Sequence, residues 1–172
     1  MCDSPVIVYS FRREKHTYIE QLRKAVVKDE RGKPWLKPFD GKFISISHSG
    51  DYFAVALADC PVGMDLQRWD MRDGPEEAVR RYRQIAERYF HPAERDWIMH
   101  ADLEFLQAFF RIWTAKESFV KYTGRGLDDD FGNFSVVGEE LCPNVYFWHG
   151  QRNGYSMAVC TEKKRKIIWQ CI

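Results

Sequence analysis

Val62-Gly63-Met64-Asp65-Leu66-Gln67 and, further along, Trp113-Thr114-Ala115-Lys116-Glu117-Ser118-Phe119-Val120-Lys121 decide how this chain is read. The first stretch reads as a strand, where residues two apart share a face. Asp65 and Gln67 then point one way and Leu66 points to the core. A carboxylate beside a second oxygen ligand is how a hard cation such as Mg²⁺ is held. Alone, the same residues also describe a half-exposed strand with a wet side. The second stretch has helical spacing. At about 100° per residue, Phe105, Leu106, Phe109, Ile112, Trp113, Phe119 and Val120 fall in one apolar arc. Lys116 projects close to the middle of that arc, where an ammonium needs an anion or must snorkel out. Glu117 and Lys121 stand four residues apart along one edge. They form either a surface ion pair or a metal-binding carboxylate next to phosphate-binding lysines.

Working outward, Phe43 to Ser47 alternates as a strand and Tyr52 to Ala58 reads as a second, joined by a Ser49-Gly50-Asp51 turn. With Val62 to Gln67 as the third, an antiparallel meander is expected. Ser47-His48-Ser49-Gly50 sits between two of these strands, and hydroxyls, an imidazole and turn N–H groups can cradle a phosphate. Local capping of the turn is the plainer reading. Tyr18 to Val27 has the spacing of a short helix, and Arg31-Gly32-Lys33-Pro34 that of a loop. It is no P-loop, because the GxxxxGK[ST] spacing is missing. Helices are expected over Glu76 to Tyr89, from Pro92 through Ile98, and over Leu103 to Tyr122, the last stopped by Gly124 and Gly126. Strands are expected over Phe134 to Val137, Val145 to His149, Tyr155 to Cys160 and Ile167 to Cys171. This order is α+β with antiparallel sheets, and the stretch from Trp69 to Glu76 is the expected boundary between two halves.

Composition bounds the function. The 172 residues are 45% apolar and 30% charged, which excludes a disordered or collagenous chain. Twenty-six basic and 25 acidic residues give a formal charge of +1, so a basic nucleic-acid coat is excluded and any phosphate site is local. The runs Lys163-Lys164-Arg165-Lys166 and Arg80 to Arg88 read as a solvated tail and helix face rather than a nucleic-acid contact. The most apolar run, Phe53 to Ala58, is far shorter than the roughly 20 residues of a membrane span, and Met1 to Glu14 lacks a signal layout. Five cysteines without a CxxC spacing argue against zinc ribbons and a disulfide framework. A cytoplasmic, monomeric protein is expected.

The pieces occur together and in order: Gly32-Lys33-Pro34-Trp35, Ile46-Ser47-His48-Ser49-Gly50, Val62 to Gln67, Ile85 to Glu94, Trp113 to Leu127, Phe134-Ser135-Val136 and Tyr155 to Cys160. The combination resembles the 4′-phosphopantetheinyl transferases of the surfactin-synthetase-activating type. The resemblance implies two small pseudo-symmetric subdomains, each an antiparallel sheet on a long helix, with the active site between them. Here they are expected at 1–70 and 71–172, the first shortened because only about thirty residues precede Gly32. It implies transfer of the phosphopantetheine arm of coenzyme A to a serine hydroxyl of an apo acyl or peptidyl carrier protein, releasing 3′,5′-ADP.

Carried over by position, Asp65 and Glu117 hold Mg²⁺ against the pyrophosphate, with Gln67 as a further oxygen ligand. Lys121 neutralises phosphate oxygens, with Lys116 beside it. Ser47 and His48 contact the phosphates of coenzyme A, and Lys33 adds charge on the same side. Glu94 matches an acidic position near the metal. Glu117, or a metal-bound water next to it, takes the serine proton. Where Gln67 stands the family often has Glu, so weaker Mg²⁺ binding is expected. That change and the short first half motivate an alternative, a non-catalytic relative that binds coenzyme A or a carrier protein. The segment Arg80 to Trp97, with Arg80, Arg81 and Arg83, is the expected contact for an acidic carrier.

Overall fold

The alternating run at 43–49 and the apolar run at 52–58 close into a hairpin, strands β4 (Phe43–Ser49) and β5 (Tyr52–Ala58), in a computed structural model that describes residues 4–12, 24, 26–28, 34–36, 42–124, 131–138 and 144–171. The connection is two residues, and Gly50 takes its first central position with φ 54, a left-handed conformation suited to glycine. Strand β1 (Val6–Arg12) pairs antiparallel with β5. Strands β2 (Val26–Lys28) and β3 (Pro34–Leu36) extend the sheet beyond β4. Strand β9 (Ile167–Cys171) returns from the far end of the chain and pairs parallel with β1. This first sheet has the order β2-β3-β4-β5-β1-β9.

A second sheet, in the order β6-β8-β7, joins Val62–Arg68, Tyr155–Thr161 and Tyr146–Arg152. The β7–β8 hairpin turns on Asn153 and Gly154, both left-handed at φ 51 and 72, as an Asn-Gly turn between twisted strands requires. The two sheets pack face to face. Val6, Val8, Ala54 and Ala56 of the first meet Met64, Leu66, Met157 and Val159 of the second in one buried cluster.

Three helices follow β6: α1 (Pro75–Tyr89), α2 (Pro92–His100) and α3 (Phe105–Thr123). Pro75 opens α1, Glu76 and Glu77 complement its N-terminal dipole, and Arg88 its C-terminus. Ala78, Tyr82 and Ala86 give it one buried face. Gly124, left-handed at φ 71, ends α3. That helix is buried nearly all round. Phe109 and Phe110 pack on Tyr82 of α1 and on Phe90 just past its end, while α3 also lies against β6 and β8.

The α+β class stands, with four corrections to the expected elements. The third strand does not continue a meander. Strand β6 leaves β5 and pairs with β8, while its other edge bonds side chains of β4. Ser45 Oγ accepts from Met64 N–H at 2.8 Å, Ser47 Oγ from Leu66 N–H at 3.1 Å, and Ser49 Oγ from Arg68 N–H at 2.9 Å. Residues 134–137 form no strand, because their backbone serves a buried ion pair described below. Within Tyr18 to Val27, Lys24 is helical as expected, but Val26 and Val27 are in strand β2, and residues 18–23 and 25 lie outside the described residues. Pro34 begins β3 instead of a loop, while Arg31 to Lys33 also lie outside them. No helix among the described residues is long and apolar enough to cross a membrane.

Candidate active site

Gly63 sets the site. A Cβ on it would be driven into the carbonyl of Ser118 and the amide of Tyr122, so β6 and α3 touch backbone to backbone only because residue 63 is glycine. Two residues further along β6, Asp65 therefore meets the last turns of α3. Its side chain is buried, and its Oδ1 accepts from Lys121 Nζ at 2.7 Å and from Ser47 Oγ at 2.7 Å. Its Oδ2 is buried with no hydrogen-bond partner among the described residues.

Glu117 lies one turn before Lys121 on the same helix and is half-buried. Burial pushes its carboxyl above the usual range, the Asp65 charge pushes it further the same way, and Lys121 opposes them. Two carboxylates that feel each other, one with a bare buried oxygen, are a mismatch that a cation would relieve. Gln67 is half-buried two residues along β6 from Asp65, and its Nε2 donates to the Arg68 carbonyl at 3.3 Å, which leaves the amide oxygen available. Among the described residues no three His, Cys, Asp or Glu side chains gather as a metal cage. Mg²⁺ keeps waters and takes one or two protein carboxylates plus substrate phosphates, and Asp65 and Glu117 offer two such carboxylates.

The remaining expected residues divide. Ser47 faces Asp65, but it spends its one hydroxyl proton on Oδ1 and accepts from Leu66 N–H. It orients the carboxylate and has no proton left for a phosphate. His48, the next residue on the strand, is exposed, and its ring tilts against Phe53 at 5.0 Å. It takes no part in the Asp65 hydrogen bonds. Lys33 lies outside the described residues.

Lys116 and Glu94 are corrected most. Both are fully buried. Lys116 Nζ donates to Glu94 Oε1 at 2.8 Å, to Oε2 at 2.9 Å and to the Phe134 carbonyl at 2.7 Å. Glu94 also accepts from Val136 N–H at 2.9 Å and from His91 N–H at 3.0 Å, the latter closing a capping box at the start of α2. The ammonium on the apolar arc does find an anion, but that anion is Glu94 and not a phosphate. Glu94, so engaged, is no metal ligand. This pair also explains why residues 134–137 are not a strand: the Phe134 carbonyl and the Val136 amide are spent on it, and the Val137 amide and carbonyl on the Ser135 hydroxyl. The sequence reading missed the closeness of Gly63 to α3 and the seats of Ser45 and Ser49. Serines at alternate positions of one strand were the signal available.

Comparison with known proteins matches residues 61–166 to the model of the 4′-phosphopantetheinyl transferase superfamily. The chain is 30% identical over 144 residues to 4′-phosphopantetheinyl transferase psf-1 of Bacillus pumilus, covering 77% of this chain and 58% of that protein. It is 37% identical over 120 residues to gsp of Aneurinibacillus migulanus, covering 69% and 46%. To Sfp of Bacillus subtilis (strain 168) it is 31% identical over 143 residues, covering 76% and 60%. The chain thus spans about half to three fifths of the length of these relatives. The match runs through both β6 with Asp65 and α3 with Glu117 and Lys121, and on it the chain belongs to the 4′-phosphopantetheinyl transferase superfamily.

Proposed function

We propose that this protein transfers the 4′-phosphopantetheine group of coenzyme A to a serine of an apo acyl or peptidyl carrier protein, with Mg²⁺ as cofactor. The observation that carries the reading is the divided Asp65 carboxylate. One oxygen is held by Lys121 and Ser47, and the other is buried and bare beside a second carboxylate whose ionisation is already disfavoured. Asp65 Oδ2, Glu117 and the Gln67 amide oxygen are the groups that would hold the ion. When bound, such an ion neutralises pyrophosphate charge.

This chain's residues supply the rest. Ser47 and Lys121 fix the direction of Asp65. Lys121 keeps 30% of its side chain exposed, so its ammonium has donors left for a phosphate oxygen while it holds Asp65. Glu117 has a carboxylate made more basic by burial and by its neighbour, as a base for a serine hydroxyl needs. In the reaction the serine oxygen bonds to the phosphorus that carries the pantetheine. The bond from that phosphorus to the bridging oxygen breaks, 3′,5′-ADP leaves with the electron pair, and the hydroxyl proton passes to Glu117. Positioning and charge neutralisation account for most of such a transfer.

The test is the intact mass of an apo carrier protein incubated with coenzyme A, Mg²⁺ and this protein. A gain of one phosphopantetheine is expected. No gain across several acyl and peptidyl carriers would overturn the reading, and coenzyme A binding without transfer would leave the non-catalytic relative in its place.

A further inference from the structure

Arg111 on α3 and His149 on β7 form a second polar cluster that the transfer reaction does not use. They line the same two cavities, of about 190 Å³ and about 120 Å³. Trp97, Ile112 and the 136–138 loop wall the first. Gln151 and Ser156 contribute to the second.

Arg111 is half-buried with its guanidinium 5.9 Å from the Trp97 ring centroid, and it forms no ion pair with a described residue. Burial draws its pKa below the ordinary value, yet a guanidinium stays charged in proteins. A partly desolvated cation without a counter-charge is unfavourable. His149 Nδ1 is buried and has no hydrogen-bond partner among the described residues, which calls for an explanation in a folded protein. Its imidazole is pushed down to about 3, by burial first and by the charge of Arg111 second. At the second cavity, Gln151 Nε2 and Ser156 Oγ are already engaged. Gln151 Nε2 donates to the Gln107 carbonyl at 2.8 Å and to Ser156 Oγ at 3.0 Å, and Trp69 Nε1 donates to the same Oγ at 2.8 Å. Arg111 and His149 thus line one shared space, each with a polar group left unmet among the described residues.

We propose that the space between α3 and β7 binds a small oxyanion, a phosphate or a carboxylate, through the Arg111 guanidinium with His149 Nδ1–H as a second donor. The planar fork matches two oxygens of such a group. The anion supplies Arg111 with its missing counter-charge and His149 with its missing acceptor.

The experiment follows the ¹⁵N signals of the His149 ring in the whole protein, titrated with sodium phosphate and separately with sodium acetate at ionic strength held constant with chloride. A saturable shift is expected. The pKa of His149 should rise towards the ordinary value, because the anion offsets Arg111, the only other charged residue lining either cavity among the described residues. Arg111→Met should weaken binding about tenfold or more, and Arg111→Lys, which keeps the charge and loses the fork, should fall between. A response to phosphate alone assigns a tetrahedral anion, and one to acetate alone a carboxylate. No saturable response to either, or an unchanged response in folded Arg111→Met, overturns the site.

Discussion

Lys121 reaches Asp65 from the last turn of α3 and bonds only Oδ1, at 2.7 Å, so half of this carboxylate is neutralised and half is left bare. Of the two readings of the Glu117 and Lys121 spacing, the helix-edge ion pair gives way to this cross-element bond. It leaves Glu117 as the group with the unfavourable charge, and the predictions turn on that.

Glu117→Gln should abolish transfer and leave the protein as stable or more stable. The folded carboxyl titrates above its ordinary value. The unfolded chain therefore releases this proton first as pH rises. The group's stabilisation is complete below about pH 4.5 and is lost as pH climbs through the folded value. Wild-type unfolding followed against pH should show that loss and Glu117→Gln should not. Added Mg²⁺ should restore wild-type stability at neutral pH and leave the variant nearly unchanged. Equal pH slopes for the two proteins would contradict this.

Gly63→Ala should be far more harmful than one methyl suggests. The new carbon meets backbone of α3, not a side-chain end that could move aside. A destabilisation of about 1–3 kcal/mol is expected from overpacking. Because the shift separates β6 from α3, activity should fall further than the folded fraction does. Denaturant unfolding and transfer rates measured together check this.

Ser47→Ala and Ser45→Ala make a matched pair. Each removes an acceptor for one amide of β6, so each should cost roughly 1–3 kcal/mol. Only Ser47 also donates to Asp65, so only Ser47→Ala should lower the rate of transfer in the folded protein. Equal rates for the two variants would remove Ser47 from its orienting role.

Lys116→Met should act on stability and not on coenzyme A. It leaves Glu94 charged inside a closed interior, which costs about 3–5 kcal/mol. The double variant Lys116→Met with Glu94→Gln should recover much of that loss. A normal melting temperature with a raised KM for coenzyme A would instead make Lys116 a phosphate ligand.

Much of the fold was legible because its signals are local. Pro75, Pro92 and Gly124 mark helix ends through their own backbone preferences, and the alternation in Phe43–Ser49 survives in the structure. What failed depended on partners distant in sequence. Nothing in Val62–Arg68 tells that its edge will bond serine hydroxyls rather than the backbone of β5. Nothing in Phe134 to Val137 shows that its amides and carbonyls will be drawn to Glu94 and Lys116. At the site, the spacing brought Asp65, Glu117 and Lys121 into consideration together, since each sits on a strong periodic element. The physics of the apolar arc demanded an anion for Lys116, but the anion's identity depended on where α2 packs. Arg111 and His149 carried no periodic or spacing signal at all.

The central claim is that Asp65 and Glu117 act in transfer while Lys116 and Glu94 only build the scaffold. The most direct measurement is the intact mass of an apo carrier protein after incubation with coenzyme A, Mg²⁺ and each variant in turn. The account predicts a gain of one phosphopantetheine with the wild type and with folded Lys116→Met/Glu94→Gln, and none with Asp65→Asn or Glu117→Gln. A full gain with Asp65→Asn, or its loss in the folded double variant alone, would contradict it.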